Sequence, residues 1–283
     1  MSPTGAARLA GVAGWPVSQS LSPALHGHWL AEHGIDGAYV PLPVRPDEFA
    51  ADIQALARMG FRGVNVTVPH KEAAFALADR LDAAARTVGA VNLLVFDNGF
   101  QGCNTDVSGL RAALVEELGR DCVQGRVAAV WGAGGTARAA VVALSQMGAS
   151  EIRIFNRTPA RAEQLAKALE GVPTPLSAAG YGAWTARRDG VALIVHATSA
   201  GMNGKASIAL PLDGLASDAA LCDVVYNPLK TDLLERAAAA GLRTVDGLGM
   251  LMHQAVPSFA AFYGITPRVT PALRAVLEKA LRV

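Results

Sequence analysis

From Leu9 to Val245, short Val-, Leu- and Ile-rich runs alternate with Ala- and Leu-rich amphipathic stretches, and this alternation constrains the fold more than any other feature of the chain. Strands that are apolar on both faces need cover on both, which helices between successive strands supply, so the pattern predicts repeated βαβ units around parallel sheets. The strands expected are Leu9 to Ala13, Tyr39 to Val44, Gly63 to Val68 and Val91 to Phe96, then Arg126 to Trp131, Ile152 to Phe155, Ala192 to Ala197, Leu221 to Tyr226 and Arg243 to Val245. Ser22-Pro23 starts a helix with proline at its first position, and Gly34 stops it. Asp97-Asn98-Gly99 is a hairpin signal, so one edge of the first sheet is expected to be antiparallel.

A chain of 283 residues is long enough for two domains of ordinary size. The pattern restarts at Asp106 with a helix from about Val107 to Leu118, and after Gly247 only helix follows. The fold class expected is α/β in two domains. Residues 1–105 plus 247–283 would form a unit with a mostly parallel sheet, and residues 106–246 a Rossmann-type unit, the C-terminal helices returning to the first.

Lys+Arg 25 against Asp+Glu 24 leaves a net charge of +1, with no basic run to follow a phosphate backbone, which argues against a nucleic-acid partner. Cys103, Cys122 and Cys222 are odd in number and not spaced as metal-site pairs, so they read as free thiols in a reducing compartment such as the cytoplasm, with no metal expected. The longest uncharged run, Gly247 to Pro267, contains His253, Gln254, Pro257, Ser258 and Tyr263 and reads as a buried helix pair rather than a membrane span.

Gly132-Ala133-Gly134-Gly135-Thr136-Ala137 follows an apolar strand and opens a helix, the context in which a G-x-G-x-x-A pattern binds a dinucleotide. The glycines permit close approach of a pyrophosphate, whose charge meets free backbone amides at the helix start. The next strand ends in Asn156-Arg157-Thr158, without the carboxylate that usually meets the ribose hydroxyls of NAD. Asn156, Arg157, Thr158 and Arg161 suit a 2′-phosphate instead, which favours NADP.

Asn65-Val66-Thr67-Val68-Pro69-His70-Lys71 ends a strand in a lysine where a helix begins. Asn65 and Thr67 share one face, Pro69 is expected to stop the ladder and start the helix, and Lys71 meets the positive end of the helix dipole. The group suits capture of a small polyol or hydroxy acid; a solvated lysine at an ordinary strand end is the plainer alternative. Asn104-Thr105-Asp106 precedes the helix into the second unit and is expected at the floor of a cleft, although an Asp in that place also serves as a helix cap. Lys71, Asn92 and Asp106 all fall at ends of neighbouring elements. Hydride transfer at a carbinol carbon requires a proton to leave or join its oxygen, a task for Lys71 held by Asp106. Ser20 and Ser22, at a helix N-terminus, favour an anion such as a carboxylate, or simply cap and turn the chain.

These motifs together resemble the shikimate dehydrogenase family, and the resemblance covers nearly the whole chain. It rests on Ser20-Leu21-Ser22-Pro23, on the stretch from Asn65 to Lys71, on Gly89-Ala90-Val91-Asn92, and on Asn104-Thr105-Asp106. The glycine turn at Gly132, Asn156-Arg157-Thr158, the run from Ala197 to Met202, Tyr226-Asn227-Pro228 and the run from Asp246 to Met250 extend it. The resemblance implies NADP-dependent interconversion of 3-dehydroshikimate and shikimate, with Lys71 and Asp106 catalytic and Ser20 and Ser22 on the carboxylate. It assigns Asn65, Thr67, Asn92, Thr105, Asp106 and Gln254 to substrate hydroxyls and Tyr226 to closure over the substrate. Thr198 and Met202 would lie along the nicotinamide, with Gly249 letting the backbone approach the ring. The first unit would then bind substrate and the second NADP, in a monomer or homodimer.

Leu93, Gln19 and Val107 depart from the family's usual Thr, His and Gly. A quinate or aminoshikimate dehydrogenase is the alternative within enzymes, and a non-catalytic NADPH-binding regulator the alternative outside them.

Overall fold

The computed structural model describes residues 2–281, which fall into two compact units, 2–105 with 254–281 and 106–253. The first contains β1 (Arg8–Gly14), α1 (Ser22–Glu32), β2 (Gly37–Pro43), α2 (Phe49–Arg58), β3 (Gly63–Val66), α3 (Lys71–Leu77), β4 (Arg80–Leu81), α4 (Ala83–Val88), β5 (Leu93–Phe96) and β6 (Phe100–Cys103). Its sheet has the order β2-β1-β3-β5-β6-β4. The pairings β1–β2, β1–β3 and β4–β6 are parallel, whereas β3–β5 and β5–β6 are antiparallel, so β5 alone runs against the rest.

The hairpin over Asp97-Asn98-Gly99 forms, with Asn98 and Gly99 in the left-handed region that its tight turn demands. The antiparallel strand it creates is interior, not at the edge expected. The two-residue β4, too short to show any periodicity, adds outside β6 and takes the edge.

The second unit contains α5 (Asp106–Leu118), β7 (Val127–Trp131), α6 (Gly135–Gln146), β8 (Glu151–Asn156), α7 (Pro159–Ala168), β9 (Leu176–Gly180), α8 (Trp184–Arg187), β10 (Val191–His196), β11 (Ala220–Asp223), α9 (Asp232–Ala239), β12 (Arg243–Val245) and the first part of α10 (Gly247–Tyr263). Its sheet has the order β12-β11-β10-β7-β8-β9 and every pairing is parallel. Counted from β7, that is the doubly wound order 3-2-1-4-5-6, with its switch point between β7 and β10. Strand β9, Leu-Ser-Ala-Ala-Gly, lacks the β-branched content that would have marked it in sequence. Trp131, Phe155 and Trp184 pack edge to face or stacked in the core of this unit, with Leu221, Leu233 and Ala237 around them.

The run from Gly247 to Pro267 is not a helix pair. It is one helix, α10, that continues through Pro257, and the second helix of the tail, α11 (Pro271–Ala280), starts beyond it at a proline capped by Thr270. The division between units falls within α10, after His253, rather than at Gly247. Residues from Gln254 onward belong to the first unit, where α11 lies against α1 and the Tyr263 hydroxyl donates to the Ala38 carbonyl at 3.0 Å. No helix among the described residues is long and apolar enough to cross a membrane.

His26 of α1 is wholly buried, stacked on Tyr39 at 3.8 Å, and burial lowers its pKa to about 3. The folded unit therefore resists its protonation while the unfolded chain does not, and stability present above pH 6.5 is lost as the pH falls toward 3. Replacing His26 by Phe should keep the stack and remove this sensitivity. The unfolding free energies of variant and parent should then diverge by about 1.4 kcal/mol for each pH unit through that window, measured by urea denaturation, and parallel curves would contradict it.

Candidate active site

Asn65 lies in β3, opposite Leu93 of β5, with its side chain buried. Its Nδ2 donates to the Asn92 carbonyl at 3.2 Å and to the Ser258 hydroxyl at 2.7 Å. A carbonyl only accepts, so the amide orientation is fixed and Oδ1 must face Tyr39, whose hydroxyl donates to it at 2.8 Å. Burial, and then the neighbouring Tyr263, hold the Tyr39 phenol well above its ordinary range, so it remains a donor. The Ser22 hydroxyl stands beside the Tyr39 oxygen, where it partly offsets the effect of burial.

The same line continues through Asn92. Its Nδ2 donates to the Thr105 hydroxyl at 2.9 Å and, at 3.4 Å, to Oε1 of Gln254, while its Oδ1 accepts the Thr105 amide at 2.7 Å. Thr105 also reaches Gln254, hydroxyl to Oε1, at 3.4 Å. Near the other end the Ser20 hydroxyl accepts the Ser22 amide at 3.3 Å. Four of the residues singled out in sequence, Asn65, Asn92, Thr105 and Gln254, thus stand on one hydrogen-bonded line inside the first unit, with Ser22 and Ser20 beside its Tyr39 end.

Thr67 follows β3, half-buried, while Lys71 opens α3. Pro69 does not start that helix: it stands in the turn before it, where the His70 amide donates to the Thr67 carbonyl at 2.9 Å, and His70 takes the N-cap place. His70 is buried, stacked on Phe49 at 4.7 Å, with Nε2 2.8 Å from the Val44 carbonyl, which pins the start of α3. The Lys71 carbonyl accepts the Val91 amide at 2.9 Å, so the lysine backbone is tied to the residue beside Asn92.

In the second unit Asp106 opens α5 as its first helical residue, buried, with its carboxylate in the turn where the helix dipole favours an anion. Tyr226 lies half-buried beyond the end of β11. At the switch point, Gly132 adopts φ +127°, a conformation that side chains rarely take. A Cβ there would come within 2.7 Å of the Ala197 carbonyl and 3.2 Å of the Thr198 methyl, so the turns after β7 and β10 touch. Ala133 and Gly134 complete the turn, Gly135 and Thr136 enter α6, and Ala137 is fully buried where helix meets sheet.

Gly134 caps α6 without a side chain, and a Cβ at that position would meet nothing within 4 Å. Open space before uncapped helix amides fits a pyrophosphate. Arg157 and Arg161 are exposed around the start of α7, where Asn156 Nδ2 donates to the Thr158 carbonyl at 2.9 Å and Thr158 occupies the N-cap position. Thr198 and Met202 are half-buried in the loop after β10. Gly249 serves packing: a Cβ would press on that of Ala113 in α5 at 3.3 Å. Among the described residues no cluster of His, Cys, Asp and Glu could hold a metal ion.

Tyr39 and Ser258 were missed in the sequence. Ser258 stands four residues after Gln254 on a helix, hence on the same face, and that spacing could have found it. A tyrosine in an otherwise apolar strand also calls for a partner to its hydroxyl.

The second unit has the doubly wound sheet and glycine turn of a dinucleotide-binding domain, and the first gathers a dense polar line at the ends of its strands, which defines the class as a two-unit α/β dehydrogenase. Residues 12–94 match the family model for the shikimate dehydrogenase substrate binding domain, and residues 114–200 that for shikimate / quinate 5-dehydrogenase. The chain is 52% identical to the shikimate dehydrogenase (NADP(+)) of Acidiphilium cryptum over 95% of each chain, and 50% identical to that of Paramagnetospirillum magneticum over 96% of this chain and 98% of the relative. Among solved structures, the shikimate 5-dehydrogenase of Thermus thermophilus in complex with NADP(H) and shikimate superposes with a TM-score of 0.82 at 33% identity, covering 97% of this chain and 98% of that one. The chain belongs to the shikimate dehydrogenase family.

The amide of Asn65 is the hub of the polar line. Asn65→Leu would strip the buried Tyr39 and Ser258 hydroxyls of their bonds to the amide, at about 1–3 kcal/mol each, while the Asn92 carbonyl keeps the Val66 amide. Its unfolding free energy in urea should fall by about 2 kcal/mol or more. A loss within about 0.5 kcal/mol, as for an ordinary surface substitution, would contradict that role.

Proposed function

We propose that this chain is an NADP-dependent oxidoreductase that interconverts 3-dehydroshikimate and shikimate, a step of aromatic amino-acid biosynthesis. The observation that carries the reading is the hydrogen-bonded line from Tyr39 to Gln254, with Ser22 and Ser20 beside its Tyr39 end and the backbone of Lys71 anchored near Asn92. A ring bearing a carboxylate and several hydroxyls needs many oriented donors and acceptors held in fixed mutual register, and that line supplies them.

In this reading Ser20 and Ser22 take the carboxylate and Asn65, Thr67, Asn92, Thr105 and Gln254 orient the hydroxyls, with Tyr226 closing over the substrate. NADP, when bound, supplies the hydride acceptor and donor. The turn from Gly132 to Ala137 holds its pyrophosphate, Asn156, Arg157, Thr158 and Arg161 its 2′-phosphate, and Thr198, Met202 and Gly249 border its nicotinamide. Lys71 takes the proton from the reacting hydroxyl during oxidation and returns it to the carbonyl oxygen during reduction, and Asp106 keeps the amine in place for both. A cytoplasmic setting suits the three cysteines, all free, with burial pushing the Cys103 thiol up to about 11 and raising those of Cys122 and Cys222.

Shikimate with NADP should raise the reduced-nicotinamide absorbance, and faster turnover with quinate or with NAD would overturn the specific assignment. Lys71→Ala should lower kcat about 100- to 10,000-fold while the KM for shikimate changes only a few-fold. A kcat that survives would remove Lys71 from the chemistry. Arg157→Ala should weaken NADP about tenfold or more and leave NAD nearly unchanged, the signature of a lost charged hydrogen bond to the 2′-phosphate. Equal losses for both cofactors would refute that contact.

A further inference from the structure

Beneath the switch point lies a buried polar relay that the reaction described above does not use. Asp223, fully buried at the end of β11, accepts three donors: His196 Nδ1 at 2.8 Å and the Val225 amide at 3.1 Å on Oδ1, and the Thr231 hydroxyl at 2.7 Å on Oδ2. Thr231 is held in turn, its hydroxyl accepting the Leu234 amide as the cap of α9. A carboxylate so surrounded by donors orients the imidazole with its hydrogen on Nδ1, which leaves Nε2 as an acceptor. Nε2 lies 2.6 Å from the Thr198 hydroxyl, which also accepts the Ala200 amide at 3.1 Å. Thr198 is the residue whose methyl borders Gly132, so the relay ends on the wall of the crevice between β7 and β10. Ligands of doubly wound sheets bind at that crevice.

We propose that His196 is a positioning residue for cofactor binding, fixing Thr198 and the loop to Met202 through its Nε2 while Asp223 fixes the imidazole. The inference rests on the reading that this loop borders the nicotinamide. A loop held by two hydrogen bonds to its first residue meets the ring already ordered, and a loop released from one must be ordered at the moment of binding.

Two substitutions separate the halves of the relay. The side-chain amide of Asn reaches the place of Nδ1 and that of Gln the place of Nε2, so His196→Asn keeps the bond to Asp223 and His196→Gln keeps the bond to Thr198. In the full chain, His196→Asn should raise the KM for NADP and the dissociation constant for NADPH about tenfold, the factor that one lost hydrogen bond of ordinary strength produces. His196→Gln should stay within about threefold of the parent on the same scale. The KM for shikimate should be unchanged in both, and the urea midpoints of the two variants should be similar. Parent-like NADP binding in His196→Asn, or losses in both variants that follow their midpoints, would overturn the positioning role and leave the enzyme assignment standing. A parent protein that neither binds nor reduces NADP would remove that assignment and this inference with it.

Discussion

One side-chain amide sets the geometry of the first unit. Asn65 can satisfy the Asn92 carbonyl, the Ser258 hydroxyl and the Tyr39 hydroxyl together only in one orientation, and those partners come from β2, from the turn before β5 and from α10. In a buried site the two hydroxyls would be costly to leave unpaired, so the amide locks three separate chain segments into register. The line that radiates from it has the serines at the start of α1 beside one end and Thr105 with Gln254 at the other. The carboxylate end and the hydroxyl end of the proposed substrate site are therefore set by one interaction.

The second unit solves a different problem, the close approach of the loop after β7 to the loop after β10 at the proposed cofactor site. Gly132 permits it because its φ and the nearness of the Ala197 carbonyl exclude any side chain. Bringing two loops so close demands that the second be held as firmly as the first. The buried Asp223, His196 and Thr198 relay meets that demand from below, with every polar atom of the carboxylate and imidazole partnered.

Much of this was legible in the sequence, for stated reasons. The α/β class followed from apolar runs alternating with amphipathic ones, and the NADP-type nucleotide site from a glycine turn in its strand-to-helix context without a carboxylate after the next strand. The membership of Asn65, Asn92, Thr105 and Gln254 in one site could be expected, but not their mutual hydrogen bonds, because the pairing of β3 with β5 and the return of α10 are long-range facts. Short elements such as β4 carry too few residues for a period, and β9 is built of small residues, so both escaped. Pro257 lies inside α10, where proline ordinarily argues for a break, and the helix continues through it. His196 and Asp223 fall within the expected strands, and only the pairing of β10 with β11 sets them opposite each other.

The central claim, that Tyr39 and Ser258 shape the substrate site through the single amide of Asn65, is tested most directly by a double-mutant cycle. Shikimate dissociation constants would be measured by calorimetry for the parent, Tyr39→Phe, Ser258→Ala and the double variant. Each single change should weaken binding, and the double should weaken it by less than the two factors multiplied, with a coupling of about 0.5–3 kcal/mol. Factors that multiply independently, or single variants that bind as the parent does, would contradict the account.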